Sequence, residues 1–415
     1  MHVEQRGKDL IVIPEGLDAV QVHDWVSRWE QKHTKIVALQ RRILGSTEEI
    51  VYAANIALER LSSLVDYRGV QTMFGSNPPA FMDVEFAPGM KKSCFYGKVG
   101  IPELQGGILA IGPHGGGCVL AFEGMAKFQH IAQAWFDEVE ATLLRESIYR
   151  GRAVMLDWDK ELEKTKYSFL SLPETVCPIF DPETENETQV FLRLIRHTER
   201  ARERGISLRR GVLLAGPYGT GKTLLAHHTA KLALANGWTF FLASNALQLA
   251  KFYEVAQRLQ PSVLFLEDVD RAAEEKGGMD VLQNTIDGIL SKENEVILVM
   301  TTNHPEKLPA AMRRPGRLDS FIQIGYPSAE TACKIVEFYA TDLMSEPIDY
   351  SALGPLIADQ PPASLREVVE RAKIFALENH NTQLTSGNLV SAAQTLQDHF
   401  KYSKKQAKEK VTSIA

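Results

Sequence analysis

The stretch GVLLAGPYGTGKTLLAHHTAKLALANG, residues 211–237, runs from a short apolar segment through a glycine-rich turn into a long helical pattern. Its centre, Gly216–Thr223, reads GxxxxGKT with a strand before it and a helix after it, the context in which that motif holds phosphate. Gly216, Gly219 and Gly221 let the backbone curl so that successive N–H groups face an anion, and Pro217, Tyr218, Thr220 and Leu224 complete the cradle. Lys222 is placed to reach the β- and γ-phosphates of a nucleotide, and Thr223 to offer its hydroxyl to Mg²⁺. The start of the helix adds a partial positive charge. A second glycine-rich turn, GPHGGG at residues 112–117, lacks a lysine and lies between short strands, so it reads as a hairpin turn.

Outward from the loop, apolar strands alternate with helical stretches. The strands are Gly211–Ala215, Thr239–Ala243, Val263–Leu266, Val296–Met300 and Phe321–Ile324. Each is short, continuous and rich in Val, Ile, Leu and Phe, as strands buried on both faces should be. The expected fold class is α/β: a five-stranded parallel sheet between helices over 191–327, with a small helical lid over 328–400. A lysine-rich tail follows at 401–415. Residues 1–155 read as a separate α+β domain, with a strand at Leu10–Ile13, a helix carrying Val22, Trp25, Val26 and Trp29, and a second helix opened by Ser46 and Glu49 at capping-box spacing. Short β-rich pieces and a long helix near 125–149 close that domain. The polar, acidic stretch 156–190 reads as a linker.

The bulk properties narrow the function classes. With 415 residues, 44% hydrophobic and 24% charged, the chain has the composition of a globular protein of several domains. A net charge of -6 argues against a protein built mainly to hold nucleic acid. Four scattered cysteines, Cys94, Cys118, Cys177 and Cys333, suit neither a zinc site nor a disulfide framework and point to a reducing interior. Apolar runs fall short of the roughly 18 residues needed to span a bilayer. A cytoplasmic protein with no membrane segment is expected.

The strand ending VLFLEDVD, residues 263–270, sets carboxylates at the C-terminal edge of the sheet, where acids hold Mg²⁺ and position an attacking water. Together with LQNTIDGIL (282–290) and VILVMTTNHPEKLPAAMRRPGRLDSFIQIGYP (296–327), these motifs resemble the AAA family of ATPases over about residues 175–395. Within that family LEDVD, TTNH and RPGRLD look most like the subgroup that translocates a folded protein during assembly of a mitochondrial respiratory complex. The resemblance implies ATP and Mg²⁺ as ligands, with Thr223 and Glu267 on the metal side and Asp268 as general base or water-positioning residue. It also implies Asn303 as the polar sensor that orients water, and Arg314 and Arg317 as fingers supplied to a neighbouring subunit's nucleotide. Arg366 is placed to act as a second sensor, with an ordinary surface arginine as the alternative.

Two departures from the family pattern stand out. The acid pair is Glu then Asp, where the family usually has Asp then Glu, so the metal-side residue is a methylene longer and the catalytic one a methylene shorter. The interval SNALQLAKFYEVAQRLQPS, residues 244–262, leaves no room for the aromatic substrate grip of threading unfoldases, and Phe252 reads as a packed helix residue. The expected partners are further copies of this chain, in a ring of six or seven, and a protein substrate chosen by the N-terminal domain. The alternatives are a DNA-associated loader, suggested by the basic run RLIRHTERARERGISLRR (193–210), and a nucleotide-gated assembly switch.

Overall fold

The computed structural model describes residues 2–6, 9–61, 69–72, 75–101, 104–105, 107–290, 293–309, 312, 318–378 and 383–396. The chain divides into two compact units, Met1–Arg150 with Asp159–Lys166, and Gly151–Trp158 with Tyr167–Ala415.

The first unit begins with a hairpin of β1 (His2–Arg6) and β2 (Asp9–Ile13), followed by α1 (Ala19–Thr34). Asp18 caps α1 with a reciprocal box through Gln21. β3 (Ile36–Leu44) leads into α2 (Thr47–Leu61), whose start is capped when the Glu49 N–H donates to Ser46 Oγ at 3.3 Å. Short hairpins follow: β4 (Val70–Thr72) with β5 (Gly75–Asn77), and β6 (Phe81–Ala87) with β7 (Met90–Phe95). β8 (Gly97–Gly100), β9 (Ile108–His114) and β10 (Gly117–Met125) join β3 in an antiparallel sheet of order β3-β10-β9-β8. α3 (Gln129–Glu146) packs on α2, and the Trp135 indole N–H donates to the Ala54 carbonyl at 2.9 Å.

GPHGGG is the β9–β10 turn, as the sequence suggests: His114 pairs with Gly117, and Gly115 and Gly116 take φ of 41° and 81°. β3 is not visible in the sequence reading. Its run IVALQRRIL carries two arginines, and Arg41 lies with its guanidinium 5.5 Å from the Phe136 ring centre and its head on Asp137.

The parallel sheet opens with β11 (Ala153–Asp159) and β12 (Lys164–Phe169), followed by α4 (Pro182–Arg196) and α5 (Thr198–Glu203). The stretch 156–190, expected to be a linker, thus holds the end of β11, all of β12 and the first turns of α4. The strand-helix alternation continues with β13 (Arg210–Ala215), α6 (Lys222–Ala235), β14 (Thr239–Ala243), α7 (Leu249–Arg258), β15 (Ser262–Leu266), α8 (Gly278–Leu290), β16 (Val296–Thr302) and β17 (Ser320–Gln323).

The sheet has seven strands, in the order β12-β11-β14-β15-β16-β13-β17, rather than five. The five expected strands are all present and run parallel to their neighbours, and β11 adds parallel to β14. β12 escapes sequence reading because it is an edge strand, none of whose residues is fully buried. β14, β15 and β16 are buried at every position; α6 and α7 pack on β14 and β15, α4 packs on α6 and β17, and α8 packs on α7.

The lid consists of α9 (Ala329–Ala340), α10 (Tyr350–Ile357), α11 (Pro362–Glu378) and a helical segment at 386–396. Its core gathers Val336, Leu353, Leu365, Val369 and Leu389, together with Cys177 and Ile179 from the chain ahead of α4. Among the described residues no helix is long and apolar enough to cross a membrane.

Candidate functional site

The glycine-rich loop joins β13 to α6 at the C-terminal edge of the sheet. Two of its glycines are required by conformation, since Gly219 and Gly221 take φ of 79° and 100°. Gly216 is required by contact: a Cβ there would stand 2.0 Å from the Ile324 carbonyl oxygen. The Lys222 ammonium curls back into the loop and donates to the carbonyls of Gly216 and Pro217 at 2.6 and 2.8 Å. The Thr220 hydroxyl donates to Pro217 O at 3.0 Å, which fixes the curl. Burial lowers the Lys222 pKa to about 8, against the upward pull of Asp268, Asp270 and Glu267.

The acidic residues come from the end of β15. Glu267 stays in line with the strand, its N–H donating to Ala243 O at 2.8 Å, and its carboxylate accepts from Thr223 Oγ1 at 2.6 Å. A hydroxyl and a carboxylate thereby converge beside the phosphate loop, the hard oxygen pair that suits Mg²⁺. No group of three or more His, Cys, Asp or Glu stands ready as a self-sufficient metal site among the described residues.

Asp268 breaks the strand direction with φ 51° and ψ 53°. Its N–H donates to Thr301 Oγ1 at 3.0 Å, its Oδ1 accepts from Asn303 Nδ2 at 2.8 Å, and its Oδ2 pairs with Arg271 at 2.8 Å. The predicted sensor and the predicted base are thus hydrogen-bonded to each other. Tyr218, exposed on the loop, stands edge-on to the His304 ring with centroids 6.1 Å apart.

The lid closes the other side. Pro361 would touch a Cβ at Gly219 at 3.2 Å, and Arg366 places its guanidinium carbon 5.9 Å from the Tyr339 ring centre. The resulting cleft is about 470 Å³, lined by Tyr218, Gly219, Gly221–Leu224, Glu267, Asp268, Thr301, Asn303, Tyr339, Pro362, Ala363 and Arg366. Arg314 and Arg317 lie outside the described residues. Phe252 is fully buried, and the Tyr253 hydroxyl donates to Asn294 Oδ1 at 2.8 Å, so both are packed residues of α7.

Sequence reasoning did not assign the residues behind the site. Asp270, only 5% exposed, accepts from the Thr302 hydroxyl at 2.7 Å and from the Asn303 N–H at 3.1 Å. The one available signal was the third acid of LEDVD. Phe180 reaches Gly221, where a Cβ would stand 3.5 Å from its ring, and Asp181 accepts from Ser328 Oγ at 2.7 Å.

A larger, more open groove of about 620 Å³ lies at the end of α4, lined by Arg196, His197, Arg200, Arg202, Trp238 and Pro261. It belongs to the basic run rather than to the cleft. Arg202 there pairs with Glu295 and Glu199, and Arg196 donates to Gln189 Oε1 at 2.5 Å. Charges engaged in this way describe a solvated helix face better than a nucleic-acid track.

Residues 212–326 match the family described as ATPase family associated with various cellular activities (AAA), so the chain carries an AAA domain on its parallel sheet. Curated relatives align over about half of the chain. The FtsH ATP-dependent zinc metalloprotease of Hahella chejuensis is 27% identical over 260 residues, 57% of this chain and 42% of the relative. The proteasome-activating nucleotidase of Methanothermobacter thermautotrophicus is 28% identical over 213 residues, 46% of this chain and 52% of the relative. A chloroplast protein of Arabidopsis thaliana named as a probable inactive ATP-dependent zinc metalloprotease, FTSHI 2, is 31% identical over 229 residues, 50% of this chain and 26% of the relative. The chain spans from about a quarter to about half the length of these three relatives.

Proposed function

We propose that the AAA domain over residues 212–326 makes this protein a Mg²⁺-dependent ATPase that works as a ring of six or seven copies and remodels or translocates a protein partner. The observation that carries the reading is the joining of Asn303 Nδ2 to Asp268 Oδ1 at 2.8 Å inside the cleft that also holds Lys222 and Thr223. Two strand ends and one helix start deliver these groups to one place, which no single motif match requires.

The chain's own residues divide the work. The amides of the loop and the α6 N-terminus receive the phosphates, and Lys222 exchanges its two carbonyl partners for phosphate oxygens. Thr223 and Glu267 would hold Mg²⁺, which when bound neutralises phosphate charge. Asp268 accepts the proton of the attacking water, while Asn303 holds the carboxylate in place and, as an amide, has both donor and acceptor to align that water. Lid residues Tyr339 and Arg366 exclude solvent from the cleft. Arg314 and Arg317 of a neighbouring copy supply charge to the transferred phosphoryl group.

The unit at Met1–Arg150 selects the cargo, and the buried Phe252 supports movement of folded protein rather than threading of an extended chain. The four cysteines are free and buried, which supports a reducing compartment such as the cytoplasm.

A complementation experiment tests ring and chemistry together. Asp268→Asn and Arg317→Ala are each expected to lose most ATPase activity when assayed alone. Mixed in equal amounts they should regain activity at about a quarter of the interfaces, where an intact Asp268 meets an intact Arg317 from a neighbour. No recovery on mixing would exclude sites shared between copies, and full activity of Asp268→Asn would exclude the assigned base.

A further inference from the structure

The loop after β15 contains a third carboxylate that points away from the cleft. Asp270 is 5% exposed, and its carboxylate accepts hydrogen bonds from the end of β16, more than thirty residues on in the chain. Oδ1 accepts from both the Thr302 hydroxyl and the Asn303 N–H, at 2.7 and 3.1 Å. The Thr302 oxygen in turn accepts from the His304 N–H at 3.0 Å. One oxygen thereby holds Thr302 and Asn303 directly and His304 through the Thr302 hydroxyl, and the middle one of the three carries the amide that holds Asp268.

The reversal that brings Asp270 there starts at Asp268, whose left-handed backbone turns the chain back under the strand edge. The base and the buried acid are two residues apart, yet one faces the cleft and the other the strand behind it. A buried carboxylate is expensive unless satisfied, and here donors from β16 satisfy it. The same bonds stop the Asn303 backbone from rotating, so the side chain meets Asp268 in one orientation.

We propose that Asp270 is a positioning residue: it fixes Thr302 and Asn303 so that the Asn303 amide is delivered to Asp268. The proposal rests on the ATPase reading above. It predicts a catalytic defect that travels through Asn303 and leaves nucleotide binding intact.

The test is a double-mutant cycle in kcat, with nucleotide affinity measured in parallel by fluorescent ATP analogue. Asp270→Ala should lower kcat about ten- to a hundredfold, while the dissociation constant changes less than about threefold. Combined with Asn303→Ala, it should add little to the loss that Asn303→Ala causes alone. Asp270→Asn keeps an acceptor oxygen and should recover kcat to within about fivefold of the parent. Thr302→Val, nearly isosteric, removes one donor without touching the acid and should lower kcat severalfold, again without adding to Asn303→Ala.

Fully additive losses, a fall in affinity matching the fall in kcat, or Asp270→Asn as impaired as Asp270→Ala would each overturn the proposal. If Asp270→Ala does not fold, the Thr302→Val cycle decides alone, and additivity there overturns it. A parent enzyme whose hydrolysis does not depend on Asp268 would instead bring down the functional reading itself. The two failures are therefore told apart by the parent's response to Asp268→Asn.

Discussion

In the proposed function, Lys222 ties nucleotide binding to pH through its position in the loop. Burial brings its pKa to about 8 from 10.5, so the unfolded chain binds the extra proton between those values. Stability of the nucleotide-free protein should therefore rise with pH across that window, as the buried charge is lost. Nucleotide affinity should move the other way, because phosphate requires the ammonium. Above pH 8 the affinity should fall by up to about tenfold per pH unit, with proton uptake on binding visible in calorimetry with buffers of different ionisation heat. Equal dissociation constants at pH 7 and pH 9 would contradict this.

The neighbouring Gly216 is sensitive for a steric reason. Gly216→Ala sets a methyl against the Ile324 carbonyl, and overpacking of that kind costs about 1–3 kcal/mol, readable as a lower denaturant midpoint. At this scale the glycine-rich loop between β13 and α6 was legible from spacing alone, since its glycine, lysine and threonine residues stand within eight residues of one another. Asp270 was not. Its role depends on a left-handed turn at Asp268, and no local pattern of residue types announces that turn.

Among the elements, α9 is seated through a partner far away in the chain. Ser328 caps it by accepting from the Thr331 N–H at 3.3 Å, and donates its own hydroxyl to Asp181 at the head of α4. Ser328→Ala removes both and should cost about 1 kcal/mol in a melting or denaturant experiment. Burial acts to raise the Asp181 pKa, but hydrogen bonds from Thr331 and Ser328 outweigh it and the net shift is downward. The stabilisation is thus complete above the carboxylate's unfolded pKa and is lost as pH falls through the folded one. The Ser328→Ala defect should accordingly shrink in acid, and a defect that stays constant down to the acid transition would disprove the link.

Strands β13 to β16 were legible because burial on both faces leaves mostly apolar residues in the run. β11 and β12 were not, since residues such as Asp157, Asp159 and Lys166 interrupt the pattern at the edge of the sheet. β3 failed for a related reason, as Arg41 buries its stem while its head stays on Asp137 and Glu140.

For the whole molecule, the sequence showed the α/β core and its lid but not where the folded unit begins. The AAA match covers residues 212–326, yet strand β11 and part of the lid's interior are drawn from chain that precedes it. Cys177 is 1% exposed inside the lid core, Ile179 packs on the same core, and Phe180 packs on the core beneath the sheet. Cutting between these residues and α4 would therefore remove side chains from two interiors at once. A fragment that starts at residue 191 should expose apolar surface and bind a hydrophobic dye, whereas one that starts at residue 151 should melt cooperatively. Where to begin a recombinant piece of this protein is thus decided by a short strand of chain upstream of every recognisable motif, which works as the lid's keystone.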